Sequence, residues 1–168
     1  EYLLECQGYA GVDGYLCYAN VFDSCTSLVR INVDEDNPTY ASDSYGVLYH
    51  RNSSAIICAP SIVAESYSIM EGTKRVFGRA FGIQNSIKTL YIPESITEID
   101  ECSFVGSEQL TNIYFAGDAP DLMPSFHIPE IDVVCYGSFA GVTADVYYPC
   151  NNDTWTSVIE YDDYGGNL

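Results

Sequence analysis

Residues 81–115 read FGIQNSIKTLYIPESITEIDECSFVGSEQLTNIYF, and this stretch contains two copies of one apolar pattern. Four apolar residues of the first copy recur 23 positions later in the second: Phe81, Ile87, Leu90 and Ile92 are followed by Phe104, Leu110, Ile113 and Phe115. The same step connects three earlier residues to this stretch, namely Tyr67, Ile69 and Val76. A further copy with the same internal offsets lies upstream at Phe22, Leu28, Ile31 and Val33. Self-similarity at a fixed step is typical of repeat architectures, so the sequence predicts a repeat protein.

Each copy contains apolar residues two positions apart, as in Leu90 and Ile92, and such residues point to the same face of a strand. We therefore predict strands at residues 67–69, 87–92 and 110–115, with a first strand inside residues 22–33. β-branched residues dominate, which favours strands and tight turns over long helices. Val76, Ile96 and Ile99 are expected to line the opposite wall of the coil. The predicted fold is a β-rich repeat solenoid with repeats of about 23 residues.

Two stretches interrupt this period within a single predicted domain, residues 1–168. From Val33 to Ile69 is 36 positions, which exceeds the step of 23 by 13, so residues 34–60 contain an insertion. Its segments YGVLY (45–49) and AIIC (55–58) predict a β-hairpin. Residues 121–138 are predicted to be a second insertion, with the repeats themselves over residues 21–120 and the last, shortened repeat at 139–150.

Both ends of the predicted solenoid need a cap, because a terminal repeat otherwise exposes its apolar face. Residues 1–20 are interpreted as an N-terminal cap or a degraded repeat. Residues 151–168 are interpreted as a C-terminal cap in which Trp155, the only tryptophan, packs on the last coil.

The charge balance argues against several classes of partner. The chain has 6 Lys and Arg against 24 Asp and Glu, a net charge of −18, which would repel nucleic acids and anionic membranes. No apolar run approaches the length of a membrane span. The chain begins EYLLECQGYA without a basic leader, so we expect either a leader that has been removed or a piece of a longer protein. This composition fits a secreted protein.

The seven cysteines are an odd number, so at least one is outside any intramolecular disulfide, and the pairing of the others is open. They include no C-x-x-C pair, which argues against a structural zinc site. Cys25 lies in the turn that precedes the first predicted strand. It is either a reactive thiol or a small buried residue, and we expect the second.

The sequence contains no arrangement of residues that predicts catalysis. His50 and His127 are the only histidines and lie in the two different insertions, so nothing places either beside an activated thiolate. Asp34, Glu35 and Asp36 lack the alternating spacing of a calcium loop and predict a solvated acidic turn. We therefore expect no enzyme activity, no cofactor and no metal site.

One side of the predicted sheet carries candidate binding residues. The outward positions between core residues are Asn32, Tyr91, Tyr114, by register Ser68, and Tyr147 in the shortened last repeat. In successive coils the tyrosines would form an exposed ladder that suits protein or glycan recognition. Alternatively, the tyrosines stabilise the sheet by touching one another. Arg30 and Lys88 lie on the same predicted strands and could add charged contacts.

Two segments resemble the BspA-like (treponemal-type) leucine-rich repeat family. Residues 22–60 (FDSCTSLVRINVDEDNPTYASDSYGVLYHRNSSAIICAP) have its F-x-x-C-x-S-L turn and its N-P-x-Y insertion, and residues 87–104 (IKTLYIPESITEIDECSF) are similar to its repeat. Residues 139–168 resemble the ends of surface proteins from anaerobic gut bacteria. Cys25 matches a cysteine position of the family, whereas the equivalent positions in the later copies are Gln84 and Ser107. The cysteines therefore form no continuous row.

The resemblance implies a right-handed leucine-rich-repeat coil and a non-catalytic recognition or adhesion module at the bacterial cell surface or outside the cell. Its partners would be host or bacterial surface proteins or glycans, with no nucleic acid, no membrane insertion and no cofactor. We expect a monomer or part of a longer chain. A different function remains open, namely a spacer or accessory domain that positions an appended enzyme such as a peptidase or cell-wall hydrolase.

Overall fold

The computed structural model describes residues 22, 25–52, 54–61, 64–82, 86–128 and 133–159. This part of the chain is rich in strands and has only a 3-10 turn (Asp153–Trp155) and one short helix, α1 (Thr156–Ile159). The strands are β1 (Tyr40–Ser42), β2 (Leu48–His50), β3 (Ala55–Cys58), β4 (Ser66–Ser68), β5 (Arg75–Val76), β6 (Thr89–Ile92), β7 (Glu98–Ile99), β8 (Asn112–Phe115), β9 (Asp121–Leu122), β10 (Phe126–Ile128), β11 (Val133–Cys135) and β12 (Asp145–Tyr147). The prediction of a β-rich chain without long helices is confirmed for the described residues.

Two sheets contain most of these strands, and the chain alternates between them from β4 to β9. The first is parallel and has the order β12-β8-β6-β4. The second has the order β1-β2-β3-β5-β7-β9, and its strands from β3 to β9 are parallel. β10 and β11 form a separate antiparallel pair.

The register of the parallel strands follows the spacing seen in the sequence. Tyr67 pairs with Leu90 and Leu90 with Ile113, so β4, β6 and β8 are offset by 23 positions, whereas β12 is offset from β8 by 33. Val76 and Ile99 have the offset of 23 in the second sheet. Equivalent apolar residues therefore lie side by side, and all five are buried in one core.

The middle of the core is a stack of three phenylalanines from the turns between the sheets. The rings of Phe81 and Phe104 lie 4.7 Å apart at 13°, and those of Phe104 and Phe139 lie 4.6 Å apart at 5°. The Phe81 amide donates to the Ser103 carbonyl and the Phe104 amide to the Ser138 carbonyl. Successive turns are thus fixed to each other by backbone bonds and by buried aromatic area.

The predicted hairpin is confirmed and has a third strand that the sequence analysis missed. β2 pairs antiparallel with β3, and β1 pairs antiparallel with β2. Asn37 positions β1 because its side-chain oxygen accepts from the amides of Thr39 and Tyr40. β3 pairs in parallel with β5, so the insertion continues the second sheet.

The strand expected inside residues 22–33 does not form in the described part of that segment, since residues 25–39 contain no strand. The Ile31 amide donates to the Gly46 carbonyl and the Val33 amide to the Ser42 hydroxyl. The inserted hairpin therefore takes hydrogen bonds that a parallel strand would have made. The expectation for Cys25 is also wrong, because this residue is an exposed free thiol.

Residues 121–138 are more than an insertion. β9 extends the second sheet, with Leu122 paired to Ile99, before β10 and β11 leave it. The chain then returns to the first sheet, where β12 pairs with β8. Trp155 is buried as expected, with its ring 4.7 Å from Phe115 and its Nε1 donating to the Gly117 carbonyl.

A buried hydrogen-bond chain attaches the hairpin to the first sheet. The Tyr49 and Tyr67 hydroxyls lie 2.6 Å apart, and the Tyr67 hydroxyl donates to the Asp43 carboxylate at 2.7 Å. The other oxygen of Asp43 accepts from the Tyr45 and Val47 amides. Burial raises the pKa of Tyr49 to about 12 and also raises the pKa of Tyr67. Both phenols are therefore held in their neutral form.

Tyr67→Phe should lower the free energy of unfolding by about 1–3 kcal/mol, because the Tyr49 hydroxyl and the Asp43 carboxylate lose a buried partner. The measurement is urea unfolding followed by Trp155 fluorescence. The control is Tyr136→Phe, since Tyr136 is exposed and outside this chain of bonds. Equal stability of the two variants would contradict a stabilising role for the network.

Gly46→Ala should destabilise the protein more than Gly72→Ala. Both glycines have a left-handed backbone, with φ of +81° and +82°, so alanine strains both equally. A Cβ at Gly46 would also lie 2.8 Å from the Ile31 nitrogen, whereas one at Gly72 would meet nothing within 4 Å. We expect an additional loss of about 1–3 kcal/mol at Gly46, measured by urea unfolding. Equal losses would show that residues 30–31 do not pack on this turn in solution.

Candidate functional site

The candidate site is the outer face of the first sheet. Strand side chains alternate between faces, so the buried Leu90 and Ile92 leave Tyr91 pointing outward from β6. Tyr114 has the same position between the buried Ile113 and Phe115 of β8. The regular alternation within each strand therefore places both tyrosines on one surface.

Three tyrosines stack on this surface, and we call them the tyrosine ladder: Tyr91, Tyr114 and Tyr147. The register pairs Tyr114 with Tyr91 on one side and with Tyr147 on the other. Ring centroids are 5.0 Å apart at 16° in the first pair and 4.4 Å apart at 8° in the second. These spacings are close to the separation of neighbouring strands, about 4.8 Å, so in-register pairing is enough to bring the rings into contact.

Exposure differs along the ladder. Tyr91 and Tyr147 are 43% and 44% exposed, whereas Tyr114 is half-buried between them. Desolvation raises the pKa of the Tyr114 phenol, and repulsion from a neighbouring Tyr147 or Tyr91 phenolate raises it further. Tyr114 therefore stays neutral and offers an aromatic ring and a hydroxyl instead of a charge.

The ladder has an open end beside β4. Ser68 pairs with Tyr91 and so occupies the next position, but it has no ring. Among the described residues, the ring of Tyr91 therefore stacks on one ring only, that of Tyr114. A cleft of about 250 Å³ crosses the ends of β4, β6 and β8, and its lining includes Ser68 and Glu71, Tyr91 and Pro93, and residues 114–116.

Lys88 lies directly before β6, the strand that carries Tyr91, and its charge is matched. Its ammonium is 2.8 Å from the Glu65 carboxylate. This hydrogen bond and the positive charge lower the pKa of Glu65. Both side chains are exposed, and such pairs contribute little to stability. Lys88 is next to the ladder without offering a free positive charge.

Arg30 and Asn32 do not join the ladder, contrary to the sequence prediction. Residues 25–39 contain no strand, so neither residue belongs to the first sheet. Instead, the Arg30 Nε donates to the Asn32 side-chain oxygen at 2.7 Å, and an added Cβ at Gly46 would touch Arg30. The inserted hairpin has drawn this segment away from the strand register that the 23-residue spacing implied.

The two histidines are not brought together. His50 is in β2 of the second sheet, where it is buried beside the Tyr40 ring and burial lowers its pKa. His127 is exposed in β10, which belongs to a separate strand pair. The described residues include no group of three or more His, Cys, Asp or Glu side chains that could hold a metal. No helix in this part of the chain is long and apolar enough to cross a membrane.

A charged group on the second sheet escaped the sequence analysis. The Arg75 guanidinium contacts Asp100 through Nε at 2.9 Å and Nη2 at 3.0 Å, and lies 3.3 Å from Glu98. Burial raises the pKa of Asp100, and the hydrogen bonds from Arg75 oppose that rise. Arg75, Glu98 and Asp121 pair in register, so the 23-position step contained the signal that could have found them.

Comparisons with known proteins add little. No protein-family model and no curated protein matches the chain. The chain is similar to a crystal structure of a leucine-rich repeat protein from Eubacterium ventriosum, with 15% identity and a TM-score of 0.35. The match covers 73% of this chain and 43% of that protein, so the chain spans less than half of its length. Similarity this low carries no argument about fold or function.

Tyr114→Ala should destabilise the protein more than Tyr147→Ala, because Tyr114 stacks on two rings and Tyr147 on one. One additional aromatic pair corresponds to a difference of about 0.5–1.5 kcal/mol in the free energy of unfolding. Urea unfolding of both variants measures it, with Tyr136→Ala as a control for an exposed ring. Equal effects of the two ladder variants would contradict a contribution of stacking to sheet stability.

Proposed function

We propose that this chain is a non-catalytic recognition module that binds protein or glycan ligands through the tyrosine ladder. The observation that carries the proposal is the continuous stack of three outward tyrosines on one sheet. Tyrosine offers a large, stiff contact area with a polar tip and loses little conformational entropy on binding. A surface of this kind suits recognition of a partner molecule.

Stacking also prepares the ladder for a ligand. Each ring is held by its neighbour, so fewer side-chain conformations are lost when a partner binds. The rings cover one another's faces, however, and both faces of Tyr114 are occupied. A partner would therefore meet ring edges and hydroxyls along the ladder, and an open ring face only at its ends. Binding and sheet stabilisation are compatible roles for the same residues.

We further propose that the fold is a right-handed leucine-rich-repeat solenoid of the BspA-like type. Support comes from the alternation of the chain between two parallel sheets and from the register of 23 positions in both. The repeat motif in residues 87–104 adds to this. A solenoid exposes a continuous sheet surface, which is where repeat proteins of this shape bind partners.

The location that fits these properties is the bacterial cell surface or the extracellular medium, with a host or bacterial surface protein or glycan as partner. The net charge of −18 disfavours nucleic acids and anionic lipids as ligands. The placement of His50 and His127 in different strand groups agrees with a non-catalytic role.

The test is the double variant Tyr91→Ala and Tyr114→Ala on arrays of glycans and of host matrix and bacterial surface proteins. Each lost hot-spot tyrosine should weaken binding about tenfold or more, provided that circular dichroism shows a folded protein. Tyr136→Ala is the matched control, because it removes an exposed tyrosine outside the ladder.

Undiminished binding by the folded double variant would overturn the proposed site. An array on which the unmodified protein binds nothing would contradict the recognition function and favour a role as a spacer for an appended enzyme.

A further inference from the structure

We propose that an arginine side chain of a partner protein binds at the open end of the tyrosine ladder, over Ser68, with its guanidinium plane on the ring of Tyr91. The inference deepens the proposed function and rests on it, since it names the kind of partner that the same surface takes. Four observations support it: the ladder spacing, the missing fourth ring, the polar groups of the cleft and the charge of the chain.

The spacing leaves room for one flat group. Successive rings of the ladder are 5.0 and 4.4 Å apart, and each stands on a neighbouring strand. β4 is the next strand, and its residue in register is Ser68. A planar group at that position would lie against Tyr91 as Tyr91 lies against Tyr114. The cleft of about 250 Å³, which runs from Ser68 and Glu71 across Tyr91 to residues 114–116, has room for a side-chain head group.

The polar lining of the cleft suits a cation. Glu71 is exposed and lines the cleft together with Ser68 and Tyr91. Within the described part of the chain, the Glu71 carboxylate has no basic partner and the Ser68 hydroxyl makes no hydrogen bond. A positive ligand could therefore gain both a carboxylate and an aromatic face, to which cations are attracted by the ring quadrupole.

The net charge of the chain favours a partner with positive charge. With 24 acidic and 6 basic residues, the chain attracts basic surfaces and repels acidic ones. Lys88, the basic residue next to the ladder, is paired with Glu65 and leaves the cleft without a competing cation. A neutral sugar would gain nothing from this field.

Arginine fits the cleft better than lysine. Its guanidinium is flat, stacks on aromatic rings and can form two parallel hydrogen bonds to one carboxylate. A lysine ammonium is a point charge without a plane to place against Tyr91. The geometry therefore predicts a preference for arginine that net charge alone would not produce.

The first experiment compares two labelled hexapeptides, one of alternating Arg and Gly and one of alternating Lys and Gly, by fluorescence anisotropy at about 0.15 M salt, where long-range attraction is screened. We expect the arginine peptide to bind about tenfold more tightly, because only arginine can both stack and make the bidentate pair. Equal affinities, or no binding of the arginine peptide, would overturn the proposal.

The second experiment uses variants with matched controls. Ser68→Tyr fills the fourth position of the ladder without changing the charge and should weaken binding of the arginine peptide about tenfold. Ser66→Tyr adds the same ring to the same strand, two residues away, and should leave the affinity unchanged. Glu71→Gln should weaken binding several-fold, whereas Glu108→Gln, an equal charge change at an exposed turn, should not.

Three results would overturn the arginine site. These are full binding of the peptide by Ser68→Tyr, equal losses in Ser68→Tyr and Ser66→Tyr, and equal losses in Glu71→Gln and Glu108→Gln. Failure of the arginine site can be distinguished from failure of the proposed function. A ligand that is lost in the Tyr91 and Tyr114 double variant but kept by Ser68→Tyr would retain the ladder as a binding surface, while a neutral glycan lost in Ser68→Tyr would replace arginine as the occupant.

Discussion

In-register pairing of parallel strands is the constraint on which the rest of this structure depends. From β4 to β9 it places each strand residue beside the one 23 positions later, as with Leu90 and Ile113. A residue type that recurs at this step therefore forms a continuous row. Apolar choices produce the buried core, in which Phe81, Phe104 and Phe139 stack face to face. Outward aromatic choices produce the tyrosine ladder by the same geometry. The core residues and the candidate site thus lie on opposite faces of the same in-register strands.

The inserted hairpin shows how this constraint can be extended and how it can be broken. β3 joins the second sheet in parallel with β5, and the hydroxyls of Tyr49 and Tyr67 connect the hairpin to the first sheet. In the same insertion, the Gly46 carbonyl accepts a hydrogen bond from the Ile31 amide. The segment that carries Arg30 and Asn32 therefore never forms a strand beside the ladder. One insertion both stabilises the fold and determines where the row of outward residues stops.

That stopping point gives the surface its chemical character. A ladder of stacked rings offers few open ring faces, so its ends differ from its middle. At the β4 end, a serine replaces the next ring and an acidic side chain lines the space beside it. The strongly acidic surface then selects which partners can approach. A mostly neutral aromatic surface within an acidic protein combines contact area with selection for positive charge.

The sequence by itself determined the strand-rich character, the hairpin, the buried rows and the outward direction of Tyr91 and Tyr114. It could do so because a strand alternates faces every residue and a constant step brings like residues together. Only the tertiary structure decided that residues 25–39 form no strand, that Cys25 is exposed and that β9 extends the second sheet. These outcomes depend on competition for backbone hydrogen bonds between segments that are distant in the chain, and local spacing does not record which partner an amide will find.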